Sequence, residues 1–219
     1  MPIHSDQLSA VFCTEEQNPN VTDRFFQFRK SLFIDALRWD LREFEGREKD
    51  QFDTASAVYC ILHRKGRVIA GFRAIRTDRP YLAQTVFPQL ATLAPYPQRR
   101  DVWEVSRFGV APAEAGSLTA RLLYSLMFRF AHLCRATALV ALADLRYERF
   151  LTQLGIRTRR YGPPQSVGLD EAGQPLMLVA GDIPIANQRG WRFENLVTLA
   201  DEMEIDDETL VLGSDRLSA

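Results

Sequence analysis

Apolar and polar residues follow two rhythms along this chain, and each rhythm predicts a different kind of element. Helical spacing runs over 22–39 and is clearest over 117–136, where one face carries Leu118, Leu122, Leu126, Phe130 and Leu133. Short apolar runs typical of strands lie at 56–63, 67–76, 102–110 and 138–143. A Lys65-Gly66 turn joins the first two runs into a hairpin. Helices and strands in this order predict an α/β fold with a mixed sheet.

Breaks in these patterns delimit the remaining elements. The charged stretch 40–55 predicts a loop, and the Pro-rich stretch 80–97 predicts a loop with a short helix near 87–93. Further on we predict a helix over 146–154 that ends at Gly155, strands at 156–162 and 175–183, and an acidic surface helix or tail at 201–208. The chain is thereby divided into a mobile leader (1–20), a main domain (21–186) and a C-terminal extension of unknown role (187–219).

Composition narrows the class of protein. Hydrophobic residues make up 46% and charged residues 25% of the 219 positions, as in ordinary globular domains. The net charge of −1 gives no reason to expect a nucleic-acid partner. The three cysteines have no metal-type spacing, and no apolar run reaches the roughly 20 residues that cross a bilayer. The first ten residues lack the features of a signal peptide, so we expect a cytoplasmic protein without a membrane span.

Several charged residues occupy positions that the pattern assigns to buried faces. On a helical wheel Arg29 falls among apolar residues, where an unpaired guanidinium would be costly. Arg73 lies inside one apolar strand, and Glu104 and Arg107 lie inside another. Such residues form either a structural ion-pair network or the lining of a functional cleft, and the pattern alone fits both.

An acidic segment, EKDQFD, supplies three carboxylates within six positions, at Glu48, Asp50 and Asp53. Carboxylates at this spacing can pair with arginines, hold a cationic ligand or bind a metal, or they can simply form a charged surface loop. A calcium loop needs more oxygen ligands and a glycine, which this segment lacks, so we expect no metal site.

Taken in order, these residues resemble the motifs of the autoinducer synthases, the acyl-homoserine-lactone synthases of the LuxI type. Arg29, Phe33 and Trp39 match the family's opening Arg, Phe and Trp. The family's E-x-D-x-aromatic-D loop, G-x-R strand and T-x-x-P-Y segment are matched at 48–53, 71–73 and 77–81. The strongest match is W-E-x-S-R-F at 103–108, and the resemblance extends over roughly residues 24–185.

The resemblance implies a fold and a reaction. The fold would be a three-layer α/β/α sandwich with a mixed, splayed sheet, like that of the GCN5-related acetyltransferases. The enzyme would join an acyl group from an acyl-carrier protein or acyl-CoA thioester to the amine of S-adenosylmethionine, which is a substrate, so that no cofactor is needed. The residues implied for S-adenosylmethionine are Arg29, Phe33, Trp39, Glu48, Asp50, Asp53 and Arg73. Those implied for catalysis are Glu104, Ser106 and Arg107, with Glu104 as a base or an amine-orienting group.

The acyl donor has its own implied contacts. An apolar tunnel would be lined by Phe108, Leu122, Leu126, Ala141, Leu142 and Ala143, although core packing explains such residues equally well. Synthases of 3-oxo products tend to carry threonines where Ala141 and Ala143 stand, so we expect an unsubstituted or otherwise unusual acyl chain. An acidic carrier protein would dock on one of two basic clusters, which are otherwise solvated faces: Arg121, Arg129 and Arg135, or Arg157, Arg159 and Arg160.

Other functions stay open at the level of sequence. A GCN5-type acetyltransferase would carry a glycine-rich pyrophosphate loop before the long helix, where this chain has VAPAEAGSLTAR with a single glycine. An N-acyl amino acid synthase would share both the fold and the thioester donor. A non-catalytic acyl-carrier-binding protein would not need the acidic loop together with Arg29. Acyl chain length, donor type, oligomeric state and cognate receptor are not readable from the sequence.

Overall fold

The computed structural model describes residues 8–114, 116–169 and 173–209. Its strands, in chain order, are β1 (Leu8–Cys13), β2 (Glu43–Phe44), β3 (Arg47–Glu48), β4 (Val58–Arg64), β5 (Arg67–Arg76), β6 (Val102–Val110), β7 (Ala138–Asp144), β8 (Arg159–Arg160), β9 (Gln165–Leu169), β10 (Pro175–Pro184) and β11 (Glu204–Asp207). Its α-helices are α1 (Pro19–Arg29), α2 (Leu82–Val86), α3 (Ser117–Leu133), α4 (Leu145–Gln153) and α5 (Trp191–Val197). A π-helical segment, Lys30–Ala36, continues α1.

The chain divides into two compact units. The first consists of Met1–Ala74, Arg107–Met127 and Leu199–Ala219, and the second of Ile75–Ser106 and Phe128–Thr198. In the first unit the strand order is β11-β1-β4-β5, with β11 parallel to β1 and the other neighbours antiparallel. Its core contains Phe25, Phe26, Tyr59 and Phe72, all at most 1% exposed. Apolar side chains of α1 and of the strands are therefore buried together here.

The second unit has the strand order β6-β7-β10-β8, and β9 also pairs with β10. β6 and β7 are parallel, and their pairing runs from Val102 opposite Ala138 to Glu104 opposite Val140, although both strands continue further. The two strands therefore part after Glu104. The sheets of both units are mixed and carry helices, so the predicted α/β class with a splayed, mixed sheet is confirmed.

Several predicted elements are confirmed with small changes of boundary. β5 and β6 have the predicted bounds, and the long helix ends at Leu133 instead of at 136. The predicted hairpin turn is present, with Lys65 at φ 51° and Gly66 at φ 75°, the two positive values that a tight two-residue turn requires. No helix in the described ranges is long and apolar enough to cross a membrane.

Other predictions are wrong. The expected mobile leader is ordered over Leu8–Cys13, which form β1 between β11 and β4. The acidic stretch 201–208, expected to form a surface helix or tail, contains strand β11, which pairs with β1. The helix expected from residue 22 begins at Pro19, where Asn18 caps it by accepting the backbone N–H of Val21. The predicted boundaries of the main domain and the extension stay predictions.

Candidate functional site

Five elements of the first unit bring the charged residues of the sequence analysis together. Arg29 ends α1, Glu48 lies in β3, Asp50 and Asp53 lie in the loop that follows, Arg73 lies in β5 and Arg107 in β6. Two glycines allow the close approach that this convergence needs. A Cβ at Gly71 would lie 2.5 Å from the Phe25 ring, and one at Gly109 would lie 2.3 Å from Leu32 Cδ2. The helix can therefore pack directly on the strands that carry the arginines.

The three arginines and three carboxylates alternate in a closed ring of ion pairs, which we call the ionic ring. Arg29 pairs with Glu48 at 2.6 Å and with Asp53 at 2.7 Å. Arg107 pairs with Glu48 at 3.0 Å and with Asp50 at 2.8 Å. Arg73 closes the ring by pairing with Asp50 at 2.5 Å and with Asp53 at 3.1 Å. Every member has two partners of opposite charge, and the ring is formally neutral.

Burial and pairing act against each other on these groups, and pairing dominates. Burial opposes ionisation of Asp53, but Arg29 and Arg73 outweigh it and hold the pKa of Asp53 well below its usual range. Glu48 is similar, since the hydrogen bond from Arg107 and the charge of Arg29 keep its pKa low in spite of burial. Burial also disfavours the charged form of Arg29, but Asp53 and Glu48 hold its pKa above the usual value. Asp53, Glu48 and Arg29 are therefore charged near neutral pH.

One member of this network was missed by sequence reasoning. Tyr59 of β4 is fully buried, and its hydroxyl donates a hydrogen bond to Asp53 Oδ1 over 3.0 Å. Backbone groups hold the carboxylates as well, because the amide of Asp50 donates to Asp53 Oδ2 at 2.8 Å and the amide of Phe52 to Asp50 Oδ1 at 2.8 Å. A tyrosine in an apolar strand carries no signal that would separate this role from packing.

The ionic ring has one solvent-facing edge. The side chain of Asp50 is 20% exposed and that of Arg107 is 6% exposed, whereas the other four are at most 1% exposed. Within the described residues the hydrogen bonds of Arg107 leave from Nε and Nη2, so Nη1 is the group left for a ligand. Arg107 also has a φ of 52°, in the left-handed region that side-chain-bearing residues rarely adopt. The edge thus presents one carboxylate beside one guanidinium.

Two predicted aromatic residues lie near this edge. Phe33 belongs to the π-helical segment, and its ring centre is 6.0 Å from Cζ of Arg107. Trp39 stacks on Phe33 with ring centres 4.9 Å apart, and 49% of Trp39 is exposed. Phe33 is buried and holds its place by packing, whereas Trp39 offers an indole face to solvent.

Glu104 and Ser106 belong to the second unit. The carboxylate of Glu104 accepts the backbone N–H of Leu82 at 3.0 Å and that of Ala83 at 2.7 Å, and so holds the start of α2. Both oxygens of a 1% exposed carboxylate are engaged in this way. Ser106 lies on the same strand, beyond the point where β6 and β7 part, and is 9% exposed.

The predicted acyl-pocket residues fall into two groups. In the first unit, Leu122 and Leu126 are buried in α3, and Phe108 contacts the ring of Tyr124 at 4.5 Å between centres. In the second unit, Ala141 and Ala143 line a cavity bounded by α4, β8 and β10. Leu142 points to the opposite face of β7, because successive side chains of a strand alternate.

The two basic clusters differ in how much free charge they hold. Arg159 pairs with Asp182 at 2.6 Å and Arg160 with Glu148 at 2.5 Å, so both are largely neutralised. Arg129, Arg135 and Arg157 are exposed. Arg121 is half-buried, and its Nε has no hydrogen-bond acceptor among the described residues. In the described ranges no three His, Cys, Asp or Glu side chains are grouped so that they could hold a metal ion.

Comparison with known proteins places the chain in a family. The family model described as autoinducer synthase matches residues 13–182. An acyl-homoserine-lactone synthase of Acinetobacter nosocomialis is 30% identical over 154 residues, which cover 66% of this chain and 84% of that protein. The match includes the ionic ring and both parted strands.

Two solved structures are similar over most of their length. TofI, crystallised in a ternary complex with an inhibitor and MTA, is 26% identical with a TM-score of 0.69, covering 87% of this chain and 99% of that one. The CoA-dependent acyl-homoserine lactone synthase BjaI, with SAM and isopentyl-CoA, shares the fold at 21% identity and a TM-score of 0.79, covering 92% of this chain and 93% of that one. This chain is therefore an acyltransferase that belongs to the autoinducer synthase family.

Proposed function

We propose that this enzyme makes an acyl-homoserine lactone, a quorum-sensing signal, from S-adenosylmethionine and an acyl thioester. The amine nitrogen of S-adenosylmethionine forms a bond to the acyl carbon, the C–S bond of the thioester breaks, and the amine loses a proton as the thiol leaves. The methionine carboxylate then forms a bond to Cγ, and the bond from Cγ to the sulfonium breaks. Its electron pair stays on sulfur, so neutral methylthioadenosine leaves together with the lactone.

The observation that carries this proposal is the solvent-facing edge of the ionic ring. The amino-acid part of S-adenosylmethionine is a zwitterion, and the edge presents opposite charges side by side at Asp50 and Arg107. Arg107 would donate from Nη1 to the substrate carboxylate, and Asp50 would face the cationic amine or sulfonium. A zwitterion is bound better by a neutral ring that presents both charges at its edge than by a site with a net positive or net negative charge.

The buried members of the ionic ring have a different role from its edge. Arg29, Glu48, Asp53 and Arg73 are each committed to two partners and are at most 1% exposed. We assign them to positioning, because they fix the side chains that do meet the substrate. The exposed indole of Trp39, supported from behind by Phe33, would stack on the adenine or face the sulfonium.

Acyl transfer makes modest demands on a base. A free α-amino group has a pKa of about 7.7–8.0, so its deprotonation at pH 7 costs only about 1–1.4 kcal/mol. Positioning therefore contributes more than proton removal. Glu104 would act mainly by holding α2, whose first amides it binds, with Ser106 beside the gap between β6 and β7. Backbone N–H groups beyond this gap would stabilise the carbonyl oxyanion.

The acyl chain would be bound by apolar side chains. Of the predicted lining residues, Phe108, Leu122 and Leu126 belong to the first unit and Ala141, Leu142 and Ala143 to the second, where Leu142 lies on the face of β7 opposite the two alanines. No hydroxyl is present at Ala141 or Ala143 to bind a 3-oxo group, which favours an unsubstituted or otherwise unusual chain. Because each substrate supplies its own reactive group, no cofactor is required.

A product assay tests the proposed function. The protein is incubated with S-adenosylmethionine and a pool of acyl thioesters, and both methylthioadenosine and lactones are measured by mass spectrometry. Equal release of the two products is expected. An acylated amino acid without methylthioadenosine would indicate an N-acyl amino acid synthase instead. Acyl-donor binding without turnover would indicate a non-catalytic carrier-binding protein.

Variants at the ring edge test the site. Arg107→Lys removes the planar guanidinium, and we expect the KM for S-adenosylmethionine to rise about 10- to 100-fold while the KM for the thioester stays unchanged. Arg99→Lys is the matched control, since Arg99 pairs with Asp101 at an exposed position. Equal KM values for S-adenosylmethionine in wild type and Arg107→Lys would show that the solvent-facing edge of the ionic ring does not bind this substrate.

A further inference from the structure

The second unit contains a small cavity bounded by α4, β7, β8 and β10, which we call the α4 cavity. Its volume is about 40 Å³. Most of the side chains around it are aliphatic. These are Ala141, Ala143, Leu151, Val179 and Ile183.

Small residues on two paired strands create the α4 cavity. Gly181 of β10 lies opposite Ala141 of β7, and Val179 lies opposite Ala143. Residues directly opposite each other in a sheet share a face, so these four positions form one continuous wall. A Cβ at Gly181 would lie 2.5 Å from the carbonyl oxygen of Arg159, so the close approach of β8 requires this glycine. The cavity is therefore built into the sheet.

The α4 cavity begins where β6 and β7 part. Val140 is the last residue of β7 that pairs with β6, opposite Glu104, and Ala141 follows it directly. Ser106 lies just past the same point on β6 and belongs to the same unit. A thioester that reacts beside Ser106 would therefore have its acyl chain next to this cavity.

The charged side chains that line the α4 cavity are paired with each other. Arg160 donates to both carboxylate oxygens of Glu148, from Nε at 2.6 Å and from Nη2 at 2.5 Å. Arg159 Nη2 lies 2.6 Å from Asp182 Oδ2, which also accepts the hydroxyl of Tyr161 at 2.9 Å. Paired charges have little left to offer a ligand, so the aliphatic wall favours an apolar one.

We propose that the α4 cavity receives the end of the acyl chain and restricts the enzyme to short, unsubstituted acyl groups of about four to six carbons. This inference rests on the proposed function, since it names the acyl group of that reaction. One water-sized group needs about 10–15 Å³, so a cavity of about 40 Å³ holds about three methylene or methyl groups. The carbonyl carbon and its nearest neighbours would lie outside it.

Two features of α4 set the limit on length. Leu151 is 7% exposed and closes the cavity on the side of the helix. The two hydrogen bonds between Arg160 and Glu148 join β8 to α4, and such a bidentate pair fixes the helix over the sheet. A longer chain would have to displace Leu151 or separate this pair.

A series of donors tests the length limit without any substitution. Saturated acyl groups of four to twelve carbons are presented on coenzyme A and on acyl-carrier protein, with S-adenosylmethionine as the acceptor. We expect kcat/KM to be highest at four to six carbons and at least about 10-fold lower at ten carbons on either donor, because each methylene that does not fit is penalised. A maximum at eight carbons or more would overturn the inference.

Two substitutions change the α4 cavity in opposite directions. Ala143→Leu fills it and should lower kcat/KM for the six-carbon donor about 10-fold or more, with the KM for S-adenosylmethionine unchanged. Leu151→Ala enlarges it and should raise kcat/KM for the ten-carbon donor about 10-fold relative to the four-carbon donor. Gln153→Ala is the matched control, since Gln153 is exposed on the same helix and should keep the wild-type chain-length profile.

The outcomes separate the cavity from other causes. Melting curves show which variants are folded at the assay temperature, and Ala143→Leu decides alone if Leu151→Ala is unfolded. A wild-type chain-length profile in the folded cavity variants would overturn the inference, because the limit would then lie elsewhere. Lactones formed from long donors only would also overturn it and leave the proposed function standing. A wild type that releases no methylthioadenosine with any donor would instead overturn the proposed function.

Discussion

At the scale of single residues, the ionic ring shows how buried charge is tolerated. An isolated buried charge costs several kcal/mol, and the attraction of one partner seldom repays that cost. Here each buried group has two partners, and Asp53 accepts a further hydrogen bond from Tyr59. Such full pairing makes the ring costly to break and therefore stiff. Stiffness is what a site needs if two exposed groups are to meet a small substrate at a fixed spacing.

A buried histidine gives the protein a pH response of its own. His63 in β4 is 8% exposed, and burial, together with the nearby charge of Arg24, lowers its pKa below the usual value. The unfolded chain, with a His pKa of about 6.5, binds the proton more readily than the folded chain. The contribution of His63 to the free energy of unfolding should therefore be fully present above about pH 6.5. It should decrease as the pH falls from there towards the lowered pKa of the folded state.

Urea unfolding between pH 7.5 and 5 measures this effect, with His63→Gln as the comparison. The variant should lose most of the slope in this range, because glutamine does not titrate. Glu48 and Asp53 reduce the free energy of unfolding only at lower pH, below about 4.3. Their pKa values are lowered in the folded state, so protonation removes the stabilisation that they provide. Parallel pH profiles for wild type and variant down to pH 5 would contradict the assignment to His63.

The sequence predicted which residues belong to the ionic ring, but it did not predict how they pair. Arg29, Arg73 and Arg107 were recognisable because a charged residue on an apolar face requires a partner. Which carboxylate pairs with which arginine depends on contacts between residues up to 59 positions apart, and no local pattern encodes these. The engagement of Glu104 with the first amides of α2 was hidden for the same reason.

At the scale of elements, α1 and its π-helical continuation position the site. The π-helical segment places Phe33 beside Arg107, and such segments occur frequently at functional sites. The periodicity predicted a single regular helix over 22–39, because a change from α to π alters the hydrogen bonding more than the apolar pattern. The close packing of α1 on β5 depends on Gly71, where a side chain would meet the Phe25 ring.

Gly71→Ala tests that packing. The new Cβ would lie 2.5 Å from the Phe25 ring and 2.6 Å from the carbonyl oxygen of Cys60, and a backbone atom cannot move aside easily. We expect a loss of about 1–3 kcal/mol in the free energy of unfolding, measured by urea denaturation, and a raised KM for S-adenosylmethionine. Gly168→Ala is the matched control, because no atom of the described residues lies within 4 Å of the added group. Equal stability of the two variants would show that α1 is not held by this contact.

At the scale of the whole molecule, residues 191–207 are part of the folded structure. In the first unit, β11 pairs with β1, and the amide of Ala200 donates to Ser125 Oγ of α3 at 3.1 Å. In the second unit, Leu196 of α5 is fully buried. The sequence predicted the α/β class from the order of its elements. It did not predict that residues 8–13 and 204–207 form paired strands, since edge pairing between them leaves no local signal.

These contacts predict the effect of shortening the chain. A protein that ends at Asp182, where the family model ends, loses α5, β11 and the burial of Leu196. The loss should be about 3 kcal/mol or more, which for a chain of this size lowers the melting temperature by roughly 6–12 °C. In the full-length chain, Leu196→Ala should account for about 2–3 kcal/mol of this loss, whereas Trp191→Ala on the same helix should stay within about 0.5 kcal/mol of wild type. Calorimetry of the wild type and the three variants tests this prediction: if the shortened chain melts at the same temperature as the wild type, residues 183–219 contribute no stability.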